Sequence, residues 1–168
     1  MRTSLVSLEL ISPDEIADML ASVEDVARRH DDWHPDYPRE DDRDGVGMVR
    51  EVDGWGSRAI RRLSDGMVVG SIGFFGPPDH DDDGALVAEV GYGLVEAARG
   101  QRLTSQALPA LLALTDAAGV RVRAGTTYDN AASLAVMMGA GFQVQEPDRG
   151  SAPDPEREVR LVREVPRR

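Results

Sequence analysis

Along the first quarter of the chain, apolar residues recur first at the spacing of a strand and then at the spacing of a helix. Residues 5–10 follow the two-residue period of a strand, and Ser12, Pro13 and Glu15 form the signature of a helix start. Ser12 would be the N-cap, Pro13 the first helical residue, and Glu15 the reciprocal partner of a capping box. The apolar residues that follow share one helical face: Ile16, Met19, Leu20 and Val23. The pattern therefore predicts a strand followed by an amphipathic helix.

Residues 30–44 carry acids, two prolines, Trp33 and Tyr37 without a clear period, which predicts a loop or a broken helix. Two strand-like runs follow, residues 57–63 and 67–75, separated by Ser-Asp-Gly. Asp-Gly between such runs indicates a hairpin. An acidic turn, residues 76–84, resembles the start of a calcium loop, but its twelfth position is Val90 and its flanks are strands, so no metal site is predicted.

The second half of the chain alternates strands with helices. Residues 87–95 form an apolar strand, and a helix begins near Leu103 and ends at Gly119, with apolar residues at Ala107, Leu111, Leu114 and Ala118. Residues 120–127 form a strand, and Asn130 caps a helix over residues 131–138. A final hairpin joins residues 142–145 and 158–165 around a turn at 147–155. The element order is β-α-β-β-β-α-β-α-β-β.

Composition limits both the number of domains and the available chemistry. At 168 residues with 41% hydrophobic content, we expect one globular domain over residues 1–168. The chain has no cysteine and no lysine. This excludes disulfides, thiolate metal sites and covalent catalysis by cysteine or lysine.

The net charge of −11 disfavours nucleic acid, because phosphate backbones are bound by clustered basic charge. A cationic or neutral partner fits this charge better. No leader segment and no apolar run long enough to span a bilayer is visible. We therefore expect a soluble cytoplasmic protein, monomeric or homodimeric, without a membrane partner.

The loop that precedes the helix at Leu103 has the features of an anion site. A helix that begins there directs its free N–H groups and the positive end of its dipole towards the loop. Arg99 and Arg102 bracket Gly100, so two guanidinium groups accompany a stretch of unobstructed backbone. This combination suits a phosphate or a pyrophosphate.

Three segments resemble the GNAT N-acetyltransferases. The run Arg-Gly-Gln-Arg-Leu-Thr at residues 99–104 is similar to the family's Gln/Arg-x-x-Gly-x-Gly/Ala loop, with Arg102 at the glycine and Thr104 at the Gly/Ala position. Asn130, Ser133 and the later Gly-Phe at 141–142 resemble its second motif, and Gly-Tyr at 91–92 also fits. The most similar branch includes the ribosomal-protein N-terminal acetyltransferases.

The resemblance implies a mixed, mostly antiparallel sheet flanked by helices, and acetyl-CoA as co-substrate. Leu94 would supply an N–H to the acetyl carbonyl, and Leu94 and Val95 would pair with the pantetheine arm. The pyrophosphate would contact the loop and the start of the helix: Arg99, Gly100, Gln101, Arg102, Leu103, Thr104 and Ser105. Asn130 would face the pantetheine and Ser133 the sulfur. At Arg102 the guanidinium would either grip a phosphate or obstruct the loop.

The implied reaction is direct acetyl transfer, in a ternary complex, to a primary amine such as a protein N-terminus or a small cationic amine. Glu89 is the candidate base and Ser133 a candidate catalytic residue; Trp33 and Tyr37 are candidates for the acceptor side. The family's tyrosine seven residues after the Asn is Met137 here, so Ser133, Tyr128 or water would protonate the thiol. A non-catalytic acyl-CoA-binding module is the alternative, whereas a dinucleotide enzyme is disfavoured because no G-x-G-x-x-G follows the first strand.

Overall fold

A computed structural model describes residues 1–48, 53–145 and 158–166. Within these residues the strands are β1 (Val6–Leu10), β2 (Arg58–Arg62), β3 (Val68–Phe74), β4 (Asp79–His80), β5 (Leu86–Leu94), β6 (Arg121–Thr127), β7 (Gln143–Val144) and β8 (Glu158–Arg163). The helices are α1 (Pro13–Ala21), α2 (Glu40–Gly47), α3 (Leu103–Ala118) and α4 (Ala131–Gly139). None of the helices in these ranges is long and apolar enough to cross a bilayer.

The strands form one sheet in the order β1-β2-β3-β5-β6-β8-β7, with the short β4 paired beside β5. Every pairing in the described sheet is antiparallel except that of β5 with β6, which is parallel. Helices lie against the sheet, and α3 buries a stripe of mostly apolar side chains: Leu103, Ala107, Leu108, Leu111, Leu112 and Thr115. The predicted mixed, mostly antiparallel α/β architecture is confirmed.

Several local predictions are confirmed at the level of single residues. The Ser12 hydroxyl accepts the Glu15 N–H, and the Glu15 carboxylate accepts the Ser12 N–H in return, which is the expected capping box. Gly66 has φ 76° in the turn between β2 and β3, and Gly119 has φ 69° at the end of α3. Each glycine takes a left-handed conformation that costs other residues free energy.

Two elements differ from the sequence prediction. The segment interpreted as a loop or broken helix, residues 30–44, contains the start of α2, whose first turn carries three acids that interact favourably with the helix dipole. The acidic turn contains β4, which pairs with β5 through Asp79 and His80. The predicted hairpin of β7 and β8 is confirmed by their antiparallel pairing, while its turn at 147–155 lies outside the described residues.

The sheet divides at β5 and β6. β5 pairs with β3 from Val90 to Leu94, but with β6 only from Val87 to Glu89. Beyond Glu89 the two parallel strands share no further pairs in the described sheet. This divergence leaves one edge of the second half of β5 without a neighbouring strand.

Candidate functional site

The unpaired edge of β5 exposes main-chain groups at the divergence. Phe75 donates its N–H to the Glu89 carbonyl, and Val95, directly after β5, donates its N–H to the Val69 carbonyl. The main-chain groups of residues 89 and 95 therefore point towards β3. Because main-chain direction alternates along a strand, Tyr92 and Leu94 direct their N–H and C=O groups the other way. Those groups face the gap that β6 has left.

A groove of about 730 Å³ runs from this gap to the N-terminus of α3. Its walls come from β5, the loop at residues 99–102 and the start of α4. Arg99 places its guanidinium near the end of β5, with Nε 3.4 Å from the Leu94 carbonyl. We call this cavity the loop groove.

Arg102 occupies the N-cap position of α3 in a left-handed conformation, with φ 60° and ψ 17°. It is the one non-glycine residue with positive φ in the described part of the chain. A left-handed conformation costs an L-residue about 1–2 kcal/mol. The loop therefore keeps the backbone shape that glycine adopts freely, and its exposed guanidinium lines the loop groove.

The N-terminus of α3 is available to a ligand. Arg102 makes no side-chain cap hydrogen bond there, and Leu103, Thr104 and Ser105 line the loop groove. The first N–H groups of a helix have no partner within the helix, and they carry the positive end of its dipole. Arg99, Arg102 and the start of α3 therefore line the same groove, and this combination of charge and N–H groups suits an anion.

A second cavity of about 340 Å³, the floor cleft, opens on the α2 side of the sheet. Main chain at Gly73 and Gly91 forms part of its lining, and the Phe75 ring packs so closely on Gly91 that a Cβ there would overlap it. The carboxylate-bearing residues of the floor cleft are Asp41 and Glu89. Five residues line both cavities: Arg39, Asp41, Tyr92, Asn130 and Ser133. The two cavities therefore meet at the gap between β5 and β6.

Two hydroxyl groups meet at this junction. The Tyr92 hydroxyl lies 2.8 Å from Ser133 Oγ and 3.3 Å from the Ser133 carbonyl. Asn130 is the N-cap of α4, and its Oδ1 accepts the Ser133 N–H at 3.1 Å. Burial raises the pKa of Tyr92, while the hydrogen bond with Ser133 acts in the opposite direction. Tyr92 therefore keeps its proton at neutral pH.

A buried ion pair lies on the other face of β5. Arg39 donates from Nε and Nη2 to the Asp42 carboxylate, both at 2.9 Å, and Ser71 donates its hydroxyl to the same carboxylate. The guanidinium lies over Gly93, where a Cβ would overlap it. Burial opposes the charge on Arg39, but the hydrogen bonds and charge of Asp42 outweigh it, so the pKa of Arg39 is raised.

The structure brings most of the predicted cofactor residues together. The loop groove is lined by Leu94, Arg99, Gly100, Arg102, Leu103, Thr104, Ser105, Asn130 and Ser133. Glu89 lies in the floor cleft and not in the loop groove. Met137 is buried beside the cleft and Tyr128 is exposed outside both cavities.

Two predicted cofactor contacts are corrected. Val95 donates its N–H to Val69 and its side chain is 1% exposed, because consecutive strand residues point in opposite directions and only Leu94 can face the gap. The Gln101 side chain points away from the loop groove. Its Nε2 donates to the Ala97 carbonyl and its Oε1 accepts from Arg62.

The placement of Trp33 and Tyr37 on the acceptor side is also corrected. Their side chains are 6% and 1% exposed, and they pack edge to face with ring centroids 5.5 Å apart. The Tyr37 hydroxyl donates to the Met19 sulfur. Burying such large apolar surfaces stabilises the fold more than displaying them in a cleft. The segment of residues 30–44 instead contributes Arg39 and Asp41 to the lining of the two cavities.

Three residues of the junction were not predicted: Arg39, Asp41 and Tyr92. Arg39 and Asp41 stood in an acidic run without periodicity, and nothing in the sequence linked them to β5. Tyr92 did have a signal, since it lies two residues before Leu94 and therefore shares its direction. No cluster of three or more side chains that could hold a metal ion occurs in the residues that the structure describes.

Comparison with known proteins places this geometry in a family. A domain family described as Acetyltransferase (GNAT) domain matches residues 6–143. None of the curated proteins compared with the chain gives a significant match.

Solved structures share the fold at low sequence identity. A Bordetella pertussis protein assigned to the GnaT acetyltransferases is 23% identical with a TM-score of 0.63, covering 97% of this chain and 98% of its own. A Vibrio cholerae protein assigned as a ribosomal-protein-serine acetyltransferase is 17% identical, with a TM-score of 0.60 and coverage of 97% and 95%. The Microcin C7 self-immunity acetyltransferase MccE, solved with acetyl-CoA and AMP, is 15% identical, with a TM-score of 0.61 and coverage of 97% and 94%. Since the family match spans most of the chain and the fold agrees with it, the protein belongs to the GNAT acetyltransferase domain family.

Proposed function

We propose that this protein transfers an acetyl group from acetyl-CoA directly to a primary amine. The observation that carries the proposal is the meeting of two cavities at the divergence of β5 and β6. One cavity leads to an anion-binding helix start, and the other holds carboxylates. A donor and an acceptor can therefore reach the same strand edge from opposite sides.

The loop groove fits acetyl-CoA along its length. The N-terminus of α3, with Arg99 and Arg102, offers charge-assisted hydrogen bonds to a pyrophosphate. The main-chain groups of Tyr92 and the Leu94 N–H face the gap and suit the amides of a pantetheine arm, which would extend the sheet as a strand does. The Leu94 N–H is then the group for the acetyl carbonyl. An oxyanion forming there would be stabilised by a donor already in place.

The side chains that the chain lacks favour direct transfer. A route through an acyl-enzyme needs a nucleophile, and cysteine and lysine are absent from the sequence. The amine must lose a proton to attack, and Glu89 in the floor cleft is the proposed base, acting directly or through one water. The carboxylates of Asp41 and Glu89 favour a cationic or neutral amine over an anionic acceptor. A protein N-terminus and a small polyamine both satisfy this chemistry.

The experiment is an acetyl-transfer assay with a panel of peptides with free N-termini, polyamines and acidic amines, followed by initial-rate kinetics on the best acceptor. We expect transfer to a neutral or cationic amine and intersecting double-reciprocal plots, as a ternary complex requires. Parallel plots or a trapped acyl-protein would contradict direct transfer. Tight binding of acetyl-CoA with no transfer to any amine would instead favour the non-catalytic binding module.

Arg99→Ala should weaken acetyl-CoA binding by about tenfold or more, because a hydrogen bond to a charged group contributes roughly 1.5–3 kcal/mol. Calorimetry with acetyl-CoA measures this. Arg160→Ala is the matched control, since its side chain is 76% exposed on β8 and lies outside both cavities. Equal affinities of the two variants would place the pyrophosphate elsewhere.

Arg102→Gly should raise the stability of the protein and lower its affinity for acetyl-CoA. Glycine relieves the left-handed strain, so the free energy of unfolding should rise by about 1 kcal/mol, or roughly 2–4 °C in Tm. Acetyl-CoA should bind more weakly and with a shallower salt dependence, because a screened charge contact is lost. Arg102→Lys, which keeps both the charge and the strain, is the control. Tighter binding by Arg102→Gly would show that the arginine obstructs the loop.

A further inference from the structure

The hydroxyl groups of Tyr92 and Ser133 form a pair that the proposed transfer does not yet use. They join β5 to α4 across 41 residues of sequence, with 2.8 Å between the oxygens. Both residues line both cavities, so the pair lies where the loop groove meets the floor cleft. A thioester that reaches the junction through the loop groove would bring its sulfur to this pair.

The pair has two hydrogen-bond arrangements. In the first, Ser133 donates its hydroxyl proton to the Tyr92 oxygen, and Tyr92 donates to the Ser133 carbonyl at 3.3 Å. In the second, Tyr92 donates to Ser133 Oγ, and the Ser133 proton is free to point into the cavity. An anion in the cavity selects the second arrangement, because only then does a hydroxyl donate to it.

The surroundings keep the pair in its protonated form. Tyr92 is only partly exposed, and burial raises the pKa of its hydroxyl. The charged side chains that line the two cavities around the pair are Arg39, Asp41, Glu89, Arg99, Arg102 and Asp129. Neither hydroxyl is hydrogen-bonded to any of these charges among the described contacts. The pair is therefore a neutral donor at the pH of an assay.

We propose that Tyr92 positions and polarises the Ser133 hydroxyl so that the two act as one hydrogen-bond donor to the sulfur of the departing CoA. This rests on the proposed function. When the amine attacks, the C–N bond forms and the C–S bond breaks, and the sulfur takes the electron pair. Ser133 then donates a hydrogen bond to the thiolate, strengthened because Tyr92 donates to Ser133. The thiolate takes up its proton from water, and the amine proton leaves through the base.

Other candidates for this role either have no proton to donate or lie outside the junction. Met137 is buried and has no proton to donate. Tyr128 is 39% exposed and lines neither cavity. Tyr92 is the tyrosine that the described structure places at the junction.

The kinetic test compares Tyr92→Phe, Ser133→Ala and the double variant. Each single change should lower kcat about tenfold to a hundredfold and leave KM for acetyl-CoA within about threefold, since a donor to a developing charge acts in the transition state. The double variant should be no slower than the slower single variant, because the two hydroxyls act as one unit. Ser64→Ala is the control, because this exposed hydroxyl lines neither cavity, and it should keep the wild-type kcat.

A binding test needs no turnover and separates this proposal from the proposed function. A donor pair that stabilises the thiolate lowers the pKa of the bound CoA thiol below that of the free thiol, which is about 8.5 for a simple thiol. Between pH 7 and pH 10, wild-type protein should therefore gain about tenfold in affinity for CoA relative to desulfo-CoA, which has no sulfur. Tyr92→Phe and Ser133→Ala should abolish that gain. Calorimetry at each pH measures it.

The outcomes of these tests distinguish a failure of the proposed function from a failure of the role of Tyr92. If the wild type binds no CoA, the proposed function and this role are both wrong. Transfer by the wild type with an unchanged kcat in Tyr92→Phe would leave the proposed function standing and overturn the role of Tyr92. Additive losses in the double variant would also overturn it, since independent hydroxyls would then contribute separately. A lower Tm with unchanged kcat and an unchanged pH dependence would reduce the pair to a structural contact between β5 and α4.

Discussion

Glu89→Gln is expected to lower kcat for amine acetylation at pH 7 by about 10²–10⁴-fold, the usual range for loss of a general acid or base. The amide keeps the size of the side chain but cannot take the proton of the attacking amine. KM for acetyl-CoA should stay near the wild-type value, because Glu89 lines the floor cleft and not the loop groove. Steady-state kinetics with both substrates varied measures the two constants.

The loss of activity in Glu89→Gln should shrink as the pH rises. An α-amine has a pKa of about 7.7–8.0, so at pH 9 it arrives neutral and needs the base less. Glu96→Gln is the matched control, because Glu96 is exposed and lies outside both cavities. A kcat within threefold of the wild type at pH 7 would remove Glu89 from the mechanism and leave water as the base.

Asp42→Ala is expected to lower the free energy of unfolding by about 3–5 kcal/mol, the usual cost of removing one partner of a buried ion pair. Its carboxylate is fully buried, and the Arg39 side chain is 20% exposed, so the variant leaves a largely desolvated guanidinium paired with the exposed carboxylate of Asp41 in place of the buried one. The Ser71 hydroxyl also loses its acceptor. Denaturant unfolding followed by fluorescence measures the change.

Asp41→Ala provides the matched control for this loss. Asp41 is the next residue in the chain and lies 3.4 Å from Arg39, but its side chain is 82% exposed. Exposed pairs contribute at most about 1 kcal/mol, so its stability should remain close to that of the wild type. The double variant Arg39→Met with Asp42→Leu should recover part of the loss, because it removes both charges. Equal destabilisation by Asp41→Ala and Asp42→Ala would show that burial of the pair contributes nothing.

Local rules predicted the parts of the fold that depend on neighbours in the sequence. The capping box at Ser12 and the Asp-Gly turn at Gly66 need only a few adjacent residues to form. The anion loop before α3 is of the same kind, because a helix start and two flanking arginines lie within six residues. Such features are readable from sequence since their geometry does not depend on distant packing.

Contacts between distant segments could not be predicted in this way. The burial of Trp33 and Tyr37 depends on how their loop folds onto the core. The loop sequence alone is compatible with exposed aromatic side chains as well as buried ones. Asp42 looked like one acid in a solvated run, yet its carboxylate lies beneath Arg39 and beside Ser71, which is 29 residues away. The orientation of Val95, in contrast, depends on a local rule. Once one hydrogen bond to β3 is known, the alternation along the strand determines whether Leu94 or Val95 faces the gap.

The short pairing between β5 and β6 has a consequence for how the protein opens. Three residue pairs, from Val87 to Glu89 on β5, make up the hydrogen-bonded seam between the two halves of the described sheet. Local opening requires less free energy where few backbone hydrogen bonds must break, so amides near the divergence should exchange with solvent sooner than those in the middle of β3. In the proposed function, the pantetheine arm would occupy the gap and complete the edge of β5. Acetyl-CoA would then act as a removable strand. The free energy needed to open the sheet at the divergence would increase when acetyl-CoA binds and decrease when CoA leaves.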